Sequence, residues 1–100
     1  MLHFEWDEKK AEINLEKHGI SFETAAKVFL DEDRLEIYDE VHSTEEDRYI
    51  TIGRAGEILF VVYTERTPKI RLISARLATP KERISGLRWA RSIRVKTSCA

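Results

Sequence analysis

The sequence predicts an α+β domain, and three features carry that prediction. Apolar residues recur with a helical period up to residue 30. Past residue 34 the period changes to two in Leu35–Tyr38 and Arg48–Ile52, with a continuous apolar run from Ile58 to Tyr63, and a capping signature at Thr79-Pro80-Lys81-Glu82 opens a further helix. No repeat or Pro/Gly/Ser linker interrupts the pattern, so residues 1–96 are read as one domain and 97–100 as a C-terminal tail.

Leu2-His3-Phe4-Glu5-Trp6 alternates as a short N-terminal edge strand does. Asp7 suits a helix N-cap, and Ala11, Leu15 and His18 form a thin stripe, with Asn14 beside it, before Gly19 ends the helix. Ser21 caps a second helix whose core stripe is Phe22, Ala25, Ala26, Phe29 and Leu30. Leu35–Tyr38 is a first strand, His42–Asp47 a polar loop, and Arg48–Ile52 a second strand. Gly53-Arg54-Ala55-Gly56 reads as a hairpin turn. The apolar run from Ile58 to Tyr63 marks a central strand reaching Arg66, and after Pro68 a fourth strand runs from Lys69 to Arg76. The expected layout is two helices, an antiparallel four-stranded meander and a C-terminal helix packed on the sheet. That last helix carries Ile84, Leu87, Trp89, Ala90 and Ile93 among arginines, with Gly86 weakening it.

Charge is segregated along the chain. Residues 1–47 hold fifteen Asp/Glu against five Lys/Arg, a net of −10; residues 48–100 hold three against twelve, a net of +9. A local basic face for a polyanion is one consequence, and ion pairing between the two halves is the other. Cys99 is the single cysteine, so no intrachain disulfide and no multi-cysteine metal site is expected. No apolar run approaches the length of a membrane helix, and a cytoplasmic location is the expectation. Neither His-x-x-x-His spacing nor a Gly-rich phosphate loop is present, so metal and cofactor are both expected to be absent.

The chemistry falls to cations. Arg54, Arg66, Lys69 and Arg71 are expected at one hairpin end of the sheet, with Arg48 and Arg76 further along their strands. Guanidinium groups match phosphate oxygens with a planar fork that stays charged. Arg71 and Arg76 are an odd number of positions apart. To share a face they need a bulge near Ser74, or a departure of Arg76 from strand geometry. His42 sits beside Glu45 and Glu46 where it can shuttle protons, whereas His18 caps a helix end. Tyr63 and Tyr49 are expected on the sheet face opposite the helices, where an aromatic ring can stack on a base.

Phe4-Glu5-Trp6-Asp7, Lys10-Ala11, Asn14-Leu15, Lys17-His18-Gly19-Ile20-Ser21-Phe22 and Val28-Phe29-Leu30-Asp31 resemble the opening of BrnT-type toxins. Asp39, His42-Ser43, Glu46, Arg48, Ile52-Gly53, Val62-Tyr63-Thr64-Glu65-Arg66, Ile70–Arg76 and Glu82-Arg83 continue that resemblance in order. It implies a RelE-like fold and a metal-independent endoribonuclease toxin of a bacterial type II toxin–antitoxin system. A small BrnA-like antitoxin would neutralise it, and operator DNA would be reached only through that antitoxin. On this resemblance Arg66, Arg76 and His42 are the candidate catalytic residues. Arg48, Arg71, Arg54, Lys69 and Tyr63 are the candidate RNA-binding residues. The alternative is a catalytically inactive relative that only binds an antitoxin or nucleic acid. Past Arg83 the chain departs from the family pattern, continuing as Gly86-Leu87-Arg88-Trp89-Ala90 where a short polar finish is usual.

Overall fold

Strands β1 (His3–Glu5), β2 (Leu35–Tyr38), β3 (Arg48–Ala55), β4 (Glu57–Arg66) and β5 (Lys69–Leu77) form one mixed sheet in the order β1-β5-β4-β3-β2. The computed structural model describes residues 2–84. The expected body of the C-terminal helix beyond 84, its packing on the sheet, Cys99 and the 97–100 tail therefore lie outside the described residues. β2 through β5 pair antiparallel with their chain neighbours, while β1 runs parallel to β5, with His3 opposite Lys69 and Glu5 opposite Arg71. Parallel pairing demands a long crossover, and everything between β1 and β5 supplies it.

Helix α1 (Glu8–His18) starts where Asp7 accepts hydrogen bonds from the Lys9 and Lys10 amides at 2.9 and 3.1 Å, and stops at left-handed Gly19. Its inward face differs from the expected stripe. Leu15 is half exposed, and Asn14 is buried in its place. The Asn14 amide donates to the Ala75 carbonyl at 2.8 Å and to the Ile20 carbonyl at 3.0 Å, and its oxygen accepts from the Ala75 amide at 3.0 Å. β1 covers only residues 69–71 of the β5 edge, so Asn14 takes the place of a neighbouring strand further along.

Helix α2 (Phe22–Lys27), capped by Ser21, passes into a 3₁₀ turn (Val28–Leu30). The tighter turn rotates the following side chains relative to an α-helix. Val28 is thereby buried, and Leu30, expected inside, is 80% exposed. Phe22, Ala25, Val28 and Phe29 pack on Leu59, Val61, Tyr63, Leu72 and Ala75 of the sheet. Phe29 contacts Tyr63 and Phe4 edge-to-face, so both helices and the 3₁₀ turn share one face of the sheet.

The second expected turn is shorter than the sequence suggested. β3 continues to Ala55, and the reversal falls on Gly56 with φ +78°. Gly53 is a strand residue whose missing side chain makes room for the segment after the 3₁₀ turn. A Cβ there would stand 2.8 Å from atoms of Val28 and Arg34.

β5 carries one irregularity. Val62 opposes Ser74 and Tyr63 opposes Leu72, leaving Ile73 as an extra residue. Leu72 and Ala75 both reach the core across this bulge, and Arg71 and Arg76 both project from the other face. At the end of β5 the expected capping box forms. The Glu82 amide donates to Thr79 Oγ1 at 3.1 Å, the Thr79 amide donates to Glu82 Oε1 at 2.8 Å, and residues 80–84 are helical.

Candidate functional site

The sheet face turned away from α1 and α2 carries the basic side chains, because strand alternation sends Tyr49, Val61, Tyr63 and Leu72 to the core and their neighbours outward. Register aligns Arg48 of β3, Thr64 of β4, Arg71 of β5 and Glu5 of β1 in one row. One step nearer the β4–β5 turn lie Arg66, Lys69 and His3. Glu5 is the hub of this end. Its carboxylate accepts from Arg71 Nη1 at 2.9 Å, and Lys69 Nζ and Arg66 Nη1 stand at 3.9 and 4.0 Å. Arg66 also reaches Glu46 at 3.2 Å. Thr64 lies between Arg48 and Arg71, and its buried Oγ1 has no hydrogen-bond partner among the described residues.

The loop between β2 and β3 closes over the same end. Ser43 Oγ donates to the Asp39 carbonyl and accepts from the Arg48 amide at 2.8 Å, and the Asp39 amide donates to the Arg48 carbonyl at 2.9 Å. Within the loop Asp39 Oδ2 holds His42 Nδ1 at 2.9 Å, which leaves the exposed imidazole its other nitrogen for an incoming group.

The sequence-derived candidates divide. Arg48, Arg66, Lys69 and Arg71 come together, with His42 on the adjoining loop. Arg54 was expected in this group but stands at the opposite end of the sheet, opposite Ile58, because successive turns of an antiparallel meander fall at alternate ends. Its amide donates to Asp31. Arg76 shares the face but not the cluster. It opposes Phe60, six residues along β4 from Arg66, a span of about 20 Å. There its guanidinium lies 4.0 Å from the Phe60 ring centroid and binds Glu82 twice, at 2.8 and 2.9 Å. The Arg76 bonds lower the Glu82 carboxyl to about 2.

Tyr63 is a correction. It is buried on the helix side, stacked with Tyr49, and its hydroxyl donates to Glu36 Oε1 at 2.8 Å. Burial first, and that hydrogen bond second, push its pKa upward. Alternation along β4 fixes this outcome once Val61 and Leu59 take the core, so Tyr63 offers no ring to a base. Two residues of the cluster, Glu5 and Thr64, were missed in the sequence. Period-two alternation does place Glu5 opposite Phe4 across β1, but its partners appear only when β1 pairs with β5.

The family described as "Ribonuclease toxin, BrnT, of type II toxin-antitoxin system" matches residues 6–82. This chain belongs to the BrnT ribonuclease-toxin family. The match contains Arg48, Arg66, Lys69 and Arg71 and begins one residue after Glu5. Among solved structures, the chain is similar to the Brucella abortus ribonuclease toxin BrnT. The TM-score is 0.60 at 26% identity, over 79% of this chain and 99% of that one. The fold shared with the BrnT family is thus an α+β domain with a five-stranded mixed sheet. Curated proteins give no match. Among the described residues no helix is long and apolar enough to cross a membrane.

Proposed function

We propose that this chain is an endoribonuclease toxin of RelE-like layout that cleaves RNA without a metal ion, its own cations performing the charge stabilisation. One observation carries the reading: Arg48, Arg66, Lys69 and Arg71, from three adjacent strands, share one end of the face opposite the helices, beside the loop that bears His42. A phosphodiester held there meets several fixed donors, and charge growing on its oxygens in the transition state is stabilised by groups already oriented. His42, its ring held by Asp39, serves as the proton shuttle. Arg76 and Arg54, at the far end, extend the basic track for flanking phosphates. In the cytoplasm a BrnA-like antitoxin neutralises the toxin by covering this face, and operator DNA is engaged only through that antitoxin.

The test is incubation of the purified protein with RNA in the presence of a chelator. Cleavage is expected to persist, with counterion-sensitive binding. Intact RNA after incubation with correctly folded protein overturns the reading.

The ion pairs of Glu5 and Glu46 with Arg66, Lys69 and Arg71 favour a second reading, an inactive relative that binds antitoxin or RNA without cutting. In that case RNA is retained intact and Arg66→Ala leaves cell growth unchanged.

A further inference from the structure

We propose that Glu5 is the proton acceptor of the cleavage site, removing the proton from the ribose 2′-hydroxyl that attacks the scissile phosphate. The inference rests on the ribonuclease reading and adds a residue and a step to it.

Three observations lead to Glu5. Its carboxylate contacts the largest group of phosphate-competent cations among the described residues, Arg71, Lys69 and Arg66. A phosphodiester bound by the same three groups must sit beside it. The parallel β1–β5 register sets Glu5 directly opposite Arg71, with Phe4 anchored in the core against Phe29, so the carboxylate is held on a strand. Finally, the side chain keeps 27% exposure, which leaves it open to a substrate approaching from solvent. The nearby carboxylates are otherwise engaged: Glu46 touches Arg66 from the loop, and Asp39 holds His42.

The step balances without any further reagent. A Glu5 oxygen accepts the 2′-hydroxyl proton, the 2′-oxygen bonds to phosphorus, and the bond from phosphorus to the 5′-oxygen breaks. The departing 5′-oxygen takes a proton from protonated His42. The products are a 2′,3′-cyclic phosphate and a 5′-hydroxyl, and exchange with water restores both side chains. Arg66, Lys69 and Arg71 stabilise the negative charge that leaves the carboxylate and develops on the non-bridging oxygens of the phosphorus centre. The charged groups around Glu5 are Arg66 from β4, Lys69 and Arg71 from β5, and Asp7, which senses the charge of Arg71; the titratable His3 lies two residues away on the same strand. Asp39 faces His42.

The experiment compares the full chain with Glu5→Gln and Glu5→Asp on a short single-stranded RNA, measuring kcat, KM and their pH dependence. Glu5→Gln keeps an oxygen for Arg71 but is a far weaker base. The expected result is a loss in kcat of about 100-fold or more, with KM unchanged or lower because a negative charge has gone. The fall of activity on the acid side is expected to vanish in Glu5→Gln. Glu5→Asp, a base on a shorter arm, is expected to keep part of the rate and the acid-side fall, which decides the matter should the glutamine variant fold poorly. Undiminished kcat in Glu5→Gln, or a loss confined to KM, overturns the assignment and leaves Glu5 as a holder of Arg71. A parent protein that leaves RNA intact marks the separate failure of the ribonuclease reading.

Discussion

Asn14 and Ala75, 61 residues apart in the chain, are joined by two reciprocal hydrogen bonds that tie helix α1 to the uncovered edge of β5. The side-chain amide presents one donor and one acceptor with the spacing of a backbone unit, so Ala75 is satisfied as though a sixth strand were there. The same amide hydrogen-bonds Ile20 beyond the helix end.

Asn14→Ala is therefore expected to destabilise the fold by about 3 kcal/mol, since it leaves buried backbone groups of Ala75 unpaired. Urea unfolding measures it, and a change smaller than that of an ordinary surface substitution contradicts the account. Asn14→Asp keeps the acceptor but turns a carboxylate oxygen toward the Ala75 and Ile20 carbonyls in a buried place, and is expected to destabilise at least as much as Asn14→Ala at neutral pH.

Thr64→Val has the opposite sign. The buried hydroxyl of Thr64 has no partner among the described residues, so its replacement by a methyl of similar shape is expected to stabilise the protein by about 1 kcal/mol. In a domain of this length that raises Tm by about 5 °C, read by thermal unfolding.

Arg71→Ala removes the guanidinium that Glu5 holds, and RNA cleavage is expected to fall about 100-fold, the scale for losing one oriented transition-state donor. Arg54→Ala, at the opposite end of the sheet, is expected to leave the chemical step unchanged. Equal losses in single-turnover assays would mean that the cluster around Glu5 is not the reacting end.

Arg48 has no acidic partner among the described residues, and binding a phosphate there releases counterions. Arg48→Ala is expected to weaken RNA binding and to lower the slope of log K against log salt by about 0.7. Titrations at several salt concentrations give that slope directly.

Glu82 supplies a pH dependence of folding. Its hydrogen bonds with Arg76 lower the carboxyl from the ordinary 4.5 to about 2, so the folded state favours the ionised form. The stability this contributes is fully present above pH 4.5 and is lost as pH falls through about 2. Unfolding midpoints across that window are expected to drop less steeply in Glu82→Gln. Because both side chains are partly open to water, the difference is small.

Local chemistry was legible in the sequence wherever it depends on neighbours in the chain. Asp7, Ser21, Gly19 and the Thr79–Glu82 box all cap as their residue types require. For Arg71 and Arg76 to share a face, their spacing called for a bulge near Ser74 or a departure of Arg76 from strand geometry, and Ile73 provides the bulge. What escaped depends on distant pairing. The helical stripe of α1 pointed to Leu15, because nothing local reveals that Asn14 faces an incomplete strand edge. Tyr63 was read outward because an aromatic ring fits either face, and the 3₁₀ turn that brings Phe29 onto it has no local mark. Arg54 was grouped with Arg66 by closeness to a turn, although consecutive turns of a meander point apart.

The pairing of Glu5 with Arg71 spans 66 positions, nearly the whole described chain. During synthesis the first strand leaves the ribosome long before its partner exists, and a sheet edge that must wait for β5 docks only after the intervening hairpins are made. A nascent or prematurely ended chain stopping short of Arg71 thus lacks the complete cationic ring, however well its helices and early strands have formed. On the proposed reading, in which this cluster is the reacting end, a chain stopped before β5 has every early element of the fold and still lacks the site.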